Sequence, residues 1–458
     1  MAEPRTALAL SGGGHRACLW ALGVLMYLAD VGRNPQVTSI ASVSGGSLAN
    51  AAIGQRLDYA TATEEQVREV ACDVVRLVAG RGALFAWWGT LAYLAVLAIV
   101  GVAAAGVVAE VAAGWPLGVN APWWLEALVA AAATLAWLQL LAARGAVTAA
   151  AFERTLLSRE RSRRLAGLHS SVDHVICATD LHAGEHVYFS SGWACAFRFG
   201  HGSNGNLSLG RAVQASAAFP PVFGVVRIGT GRFGFQGGTD EGDAAASLTL
   251  TDGGVYDNMG DQWAHGLPDR VERWGDLGFR DAAELIVVNS SAGLGWRSTW
   301  TFRIPVVGAL LALLRMKSVL YDNGTSVRRR ELVRRFDLAE RTGEGLCGAL
   351  VHIPQSPFRA PDAFVDAGSL WPERQARAEA ALARLGDDPA IRSQWADIAC
   401  QNAAVKTTLF GFPPEVCARL LHHSYVLAMI TLHVVRGYPL LDELPDQDDF
   451  RALITGEP

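Results

Sequence analysis

Short apolar runs that stop at glycine or at polar residues punctuate this chain. Residues 6–10 (TALAL), 37–43 (VTSIASV), 172–178 (VDHVICA) and 284–289 (ELIVVN) are of this kind. Their length and β-branched content predict buried strands. Between them, residues 15–31 and the stretch from Ser47 to about Arg56 read as helices, as do residues 413–436, whose plainest role is packing on the core. Strands alternating with helices imply an α/β sheet, largely parallel and covered on both faces. The glycine-rich stretches 200–206 and 229–242 read as surface loops. No internal repeat is visible.

Two much longer apolar runs break this rhythm. Residues 82–143 contain no Lys or Arg, and their only acidic residues are Glu110 and Glu126. Within them, 84–109 and 121–143 each exceed the roughly 20 residues that a spanning helix needs. Trp87, Trp88, Trp115, Trp123 and Trp124 cluster near the ends, as an interfacial aromatic belt would. The link GWPLGVNAP is short and carries two helix-breaking prolines. Arg68, Arg76 and Arg81 precede the pair, and Arg144, Arg154, Arg159, Arg161, Arg163 and Arg164 follow it. An excess of cations on both flanks places both in the cytoplasm. The rival reading is a pair of helices buried in a large soluble core. Residues 304–314 (IPVVGALLALL) are too few to span; a helix lying in the membrane interface and a buried core helix both fit them.

The pattern divides the chain into residues 1–82, the first part of an α/β body; 83–144, a transmembrane hairpin; 145–330, the second part of that body; and 331–458, a mainly helical C-terminal part packing on the core. The start of the chain lacks a basic region followed by a long apolar run, so no secretory signal peptide is expected. An integral membrane protein with two spans and its folded body in the cytoplasm is the resulting expectation.

Composition agrees. Of 458 residues, 51% are hydrophobic and 18% charged, below the roughly 25% charged of an average soluble domain. A net charge of −5 without a basic tail gives no footing for nucleic acid. The seven cysteines are scattered and form no Cys-x-x-Cys pair, which argues against a disulfide framework or a zinc site and fits a reducing compartment. No His/Cys/Asp cluster has metal-ligand spacing, and no cofactor is expected.

Three motifs carry candidate chemistry. Ser11-Gly12-Gly13-Gly14-His15-Arg16 lies at a strand-to-helix junction. Its glycine N–H groups at a helix start could hold an oxyanion, cradle a phosphate, or only make a tight turn. No Gly-Lys-[Ser/Thr] follows, which excludes a P-loop. Ser42-Val43-Ser44-Gly45-Gly46 has a serine between a strand and a helix with small neighbours, the logic of a nucleophile elbow, although Ser42 replaces its first glycine. A serine at a helix N-cap explains the same pattern. Asp252-Gly253-Gly254 follows the strand-like SLTLT; the acid could be a base, a metal ligand or part of a hairpin turn.

In this order the three motifs resemble the patatin-like phospholipase family. Residues 177–189 are similar to its Ala-Thr-Asp segment and 212–223 to its Ala-Ser-x-Ala-x-Pro segment. The resemblance covers roughly 6–55 and 165–290. It implies a patatin-like three-layer fold around a central, mostly parallel sheet, with the two-helix hairpin inserted. It further implies a serine hydrolase acting on lipid esters. Ser44 would be the nucleophile, Asp252 the base, Gly12, Gly13 and Gly14 the oxyanion hole, and Arg16 a support for the loop or a site for an anionic head group. The expected partners are the bilayer and a lipid ester substrate, either a phospholipid or another lipid. A His-based triad using His15, His182 or His186 is the rival mechanism, with His15 expected at the rim of the site. Two other readings keep the fold: a catalytically degenerate membrane scaffold or sensor, and a gated effector that attacks membranes when triggered.

Overall fold

The structure, a computed structural model, describes residues 4–113, 122–219, 223–239, 245–275, 277–295, 307–366 and 371–456. Residues 114–121 of the GWPLGVNAP link, including Trp115, lie outside this set, as do 220–222, 240–242 and 304–306 of the segments named above.

Eleven strands form one sheet among the described residues: β1 (Thr6–Leu10), β2 (Val37–Val43), β3 (Asp173–Asp180), β4 (Glu185–Phe189), β5 (Trp193–Ala196), β6 (Gly200–Ser203), β7 (Val226–Gly229), β8 (Gln236–Gly237), β9 (Ser247–Asp252), β10 (Glu284–Asn289) and β11 (Cys347–His352). Their order is β11-β10-β1-β2-β3-β4-β5-β6-β8, with β9 on β3 and β7 on β9. The first five are parallel; every pairing beyond β3 is antiparallel. The sheet is therefore mixed rather than mostly parallel. The reason is connection length: residues 181–184, 190–192 and 197–199 are the only chain between successive strands from β3 to β6, far short of the dozen or more residues a parallel crossover requires. The glycine-rich stretches 200–206 and 229–242, expected as loops, contain β6 and β8. Ladder bonds hold these short strands, β6 on β5 and β8 on β6.

The helices before the apolar hairpin are α1 (Gly14–Asp30), α2 (Gly45–Arg56), α3 (Glu64–Ala79) and α4 (Gly82–Phe85). The hairpin is α5 (Trp88–Ala112) and α6 (Trp123–Ala142), and α7 (Arg144–Thr155) returns the chain to the body. Then come α8 (Leu209–Ser216), α9 (Gln262–His265), α10 (Leu267–Trp274), α11 (Val307–Thr342), α12 (Arg359–Asp366), α13 (Pro372–Leu385), α14 (Pro389–Ala403), α15 (Pro414–Arg436) and α16 (Gln447–Thr455).

Alternation along the strands sorts these helices into two outer layers. Leu8, Leu10, Ile286 and Val288 face the core that contains α1, α2, α3 and α15. Ala7, Ala9, Leu285 and Val287 face Leu332 and Phe336 of α11. Val43 and Cys177 meet Trp263 and Leu267 of α9 and α10. α15 is buried along most of its length and packs on α1. The C-terminal region also supplies β11, which extends the parallel half of the sheet. Residues 307–314, an open case in the sequence, begin the 36-residue α11, which runs across the 330/331 division.

α5 and α6 pack against each other and against little else. Gly101 leaves room for the Trp137 indole, and the Tyr93 hydroxyl donates to Leu140 O at 2.8 Å. Trp88, Ile99, Val102, Leu128 and Leu135 are exposed. Both helices are long and apolar enough to cross a membrane, and almost none of either is buried.

Candidate active site

The Ser44 and Asp252 segments are brought together by β3. Along one edge, β3 pairs with β2 up to Val43↔Cys177. At the next residue β9 takes over, with Asp252 opposite Ala178. Two strands thus end against each other on neighbouring residues of a third. A Cβ placed on Gly253 would stand 3.3 Å from Val43 Cγ1. Neither strand needs the other's side chains to reach this point; the sheet register alone delivers them.

Ser44 leaves β2 and precedes α2 with φ 49° and ψ −114°. Such a conformation costs a side-chain-bearing residue on the order of 1–3 kcal/mol and persists only where the surroundings enforce it. The enforcement is visible. Ser44 N–H donates to Ser216 Oγ at 2.9 Å. Ser216 in turn bonds Ser47 Oγ at 2.9 Å, and Ser47 reaches Ser42 Oγ at 3.1 Å. Asn50 donates to Ser42 Oγ and to Ile40 O, both at 2.8 Å. Gly45 lies so close to the Gly14 backbone that any side chain there would collide with it.

The glycine loop stands beside the serine. A Cβ placed on Gly12 would be 3.2 Å from Ser44 Cβ. Gly13 and Gly14 have φ of 148° and 60°, which turns the chain from β1 into α1. Gly12 N–H donates to Asn258 O at 2.9 Å. Of the three amides expected to form an anion site, this one is therefore engaged by the protein itself, leaving those of Gly13 and Gly14.

Asp252 is buried, and its Oδ1 accepts from Gly254 N–H at 2.8 Å. The end of β9 is fixed by Asp252 N–H and Thr251 Oγ1, both donating to Ala218 O. Asp180 Oδ1 accepts from Thr249 N–H at 2.7 Å, and its Oδ2 accepts from the amides of His182 and Ala183. The Ala-Thr-Asp segment thus braces β9, and the Ala-Ser-x-Ala segment braces both Ser44 and Asp252.

The next turn anchors α11. Asp257 accepts from the amides of Met259 and Gln262 at 3.0 Å and meets Arg328 at 3.3 Å. Burial alone would raise the Asp257 carboxyl, but Arg328 and the backbone donors outweigh it and hold it below the usual range. Burial and the Asp257 charge push Asp261 up to about 8. About two turns earlier on α11, the Tyr321 hydroxyl sits where any side chain on Gly254 would strike it. Burial first, then the charges of Asp252 and Asp257, keep it protonated. Nothing in the sequence singled out Tyr321, because it lies on a helix remote from every motif.

The histidines do structural work. His15 is fully buried instead of lining the rim. Its Nε2 accepts from Ala83 N–H at 3.2 Å, so Nδ1 carries the proton that is donated to Phe410 O at 2.9 Å. The neighbouring Arg16 is also buried and donates to Val405 O at 2.6 Å. With His15 N–H bonded to Thr408 O, the loop of residues 404–413 is clamped over the glycine loop. Arg16 is thus buried against the 404–413 loop instead of standing on the surface. His186 Nε2 bonds Gly253 O and His182 Nε2 bonds Thr249 Oγ1, each at 2.9 Å. Among the described residues none of the three bonds Ser44.

The sequence profile of the patatin-like phospholipase family matches residues 8–260, more than half of the chain and all three motifs. The chain belongs to the patatin-like phospholipase family. Among solved structures it is similar to human GIVD cytosolic phospholipase A2, with 14% identity and a TM-score of 0.30; the match covers 47% of this chain and 28% of that one. No curated protein matches the chain.

Proposed function

We propose that this protein is a membrane-anchored lipid acyl hydrolase that cleaves fatty-acyl esters with Ser44 as nucleophile and Asp252 as general base. The observation that carries this reading is the abutment of β2 and β9 on consecutive residues of β3, which sets the ends bearing Ser44 and Asp252 side by side next to a glycine loop.

The chemistry follows from the arrangement. Ser44 Oγ attacks the ester carbonyl and Asp252 accepts its proton. Negative charge developing on the carbonyl oxygen is met by the Gly13 and Gly14 amides at the start of α1. Asp252 passes that proton to the leaving oxygen, and expulsion of the alcohol leaves an acyl-enzyme on Ser44. Water, activated by the same carboxylate, then releases the fatty acid. In this reading the strained Ser44 backbone serves to turn the hydroxyl out of β2 toward the glycine loop.

The hairpin serves as the anchor. α5 and α6, with 25 and 20 residues, each reach the length required to cross the hydrocarbon core. Their outward apolar surface suits lipid, and the arginines flanking them favour a cytoplasmic catalytic body. Phospholipid-type substrates suit an enzyme held at the depth where the ester lies.

The test is fatty-acid release by the purified full-length protein from vesicles of defined phospholipid, lysophospholipid and neutral lipid. Release from at least one class, absent in Ser44→Ala, is the expected result. Equal release by the mutant would refute the assignment.

A further inference from the structure

α11 presents two different faces. Tyr321, Thr325, Arg328, Leu332, Phe336 and Ala339, spaced by three or four residues, form one stripe. It is turned to the body, with Leu332 and Phe336 in the core and Arg328 on Asp257. The opposite stripe is formed by Leu313, Met316, Leu320 and Val327, each more than half exposed. One turn further along that same stripe come Arg330 and Arg334, both exposed. A soluble helix normally turns only one apolar face inward and covers the other with polar residues.

We propose that the outer stripe of α11 docks on the surface of an anionic phospholipid bilayer, its four apolar side chains at the headgroup boundary and Arg330 and Arg334 against lipid phosphates. The proposal rests on the lipid hydrolase reading and adds to the hairpin a second contact, next to the site. Charge complementarity selects the occupant, because apolar residues followed by the exposed cations Arg330 and Arg334 match an acyl boundary beneath a phosphate layer. A second copy of the chain fits less well. Parallel pairing would stack Arg330 and Arg334 on their own counterparts, and antiparallel pairing would set arginines against Leu313 and Met316. On the inward face of the same helix Tyr321 reaches Gly254, so α11 lies beside the Asp252 loop.

The experiment uses the full-length protein in liposomes of phosphatidylcholine with about a third phosphatidylglycerol. A polarity-sensitive fluorophore is attached at Leu320→Cys, with Glu344→Cys beyond the helix as control and the exposed Cys400 changed to serine in both. The expected result is blue-shifted emission at 320, quenched by lipids carrying a spin label near the headgroup, and water-like, unquenched emission at 344. Water-like emission at both positions would overturn the proposal. A blue shift that follows protein concentration and ignores the spin-labelled lipid would assign the face to a second copy and would also overturn it. Met316→Asp with Leu320→Asp should lower turnover of vesicle lipid several-fold while sparing a soluble short-chain ester. Quenching at 320 in a protein that hydrolyses no ester would sustain the docking and refute the hydrolase reading, so the two stand or fall separately.

Discussion

The Ser44 amide donates to Ser216 Oγ at 2.9 Å across 172 residues of sequence. That bond ties the elbow to the C-terminal end of α8, and through Ala218 O the same segment holds the end of β9. The Ala-Ser-x-Ala segment thus touches both candidate catalytic residues without being one.

Ser216→Ala removes the acceptor and leaves the Ser44 N–H without it. An unpaired buried donor costs about 1–3 kcal/mol, and a loosened elbow misaligns the hydroxyl. The expected result is a melting temperature lowered by a few degrees and kcat reduced about tenfold, equivalent to roughly 1.4 kcal/mol, with KM little changed. Steady-state kinetics on a soluble ester beside a thermal melt would check both.

Asp252→Asn should reduce turnover by about 10²–10⁴-fold, the range contributed by a positioned general base. His182→Ala and His186→Gln should each retain substantial activity, since their ring nitrogens are engaged by Thr249 and Gly253. A histidine mutant as inactive as Asp252→Asn would replace the two-residue mechanism with a triad.

The parts of this structure that rest on local pattern were legible in the sequence. Residues 6–10, 37–43 and 284–289 are strands as read, because short apolar runs bounded by turn residues leave little choice. Ser44, Asp252 and the glycine loop stood out as candidates because each sits at a turn and offers a hydroxyl, a carboxylate or backbone N–H groups. The antiparallel half was not legible. β6 and β8 are short and glycine-containing, and only pairing with neighbours makes them strands. β11 was hidden among helices, and Gly348 within it weakens its intrinsic signal. His15 was placed at the rim because its partners, Ala83 and Phe410, are 68 and 395 residues away. Long-range packing, invisible to periodicity, decided each of these.

His15 yields a pH prediction. Burial depresses its pKa from 6.5 to about 4, against the smaller opposing effect of its bond to Phe410 O. The folded state thus resists protonating it, and its contribution to stability is complete above about pH 6.5. As pH falls from 6.5 toward 4 that contribution declines by about 1.4 kcal/mol per pH unit. The stability gap between wild type and His15→Gln, measured by denaturation in detergent micelles, should therefore be widest above pH 6.5 and narrow below it. A constant gap would show that the ring is not held neutral by burial.

The hairpin can be tested in intact cells. Ile99→Arg places a cation near the middle of α5, at a cost of about 2.5–3.5 kcal/mol on insertion scales, and should reduce membrane insertion. With the native cysteines replaced, an impermeant thiol reagent should label Val119→Cys in the link and spare Arg161→Cys. Labelling at neither position, with release of the protein by a carbonate wash, would mean that α5 and α6 do not span.

The most direct measurement of the central claim is covalent. A fluorophosphonate reacts only with a serine whose hydroxyl is activated and whose oxyanion is stabilised, so it reports the nucleophile, the base and the loop amides at once. Peptide mapping of the labelled full-length protein should find the adduct on Ser44, absent in Ser44→Ala and strongly slowed in Asp252→Asn. An adduct on a different serine, or undiminished labelling and hydrolysis in Ser44→Ala, would contradict the account.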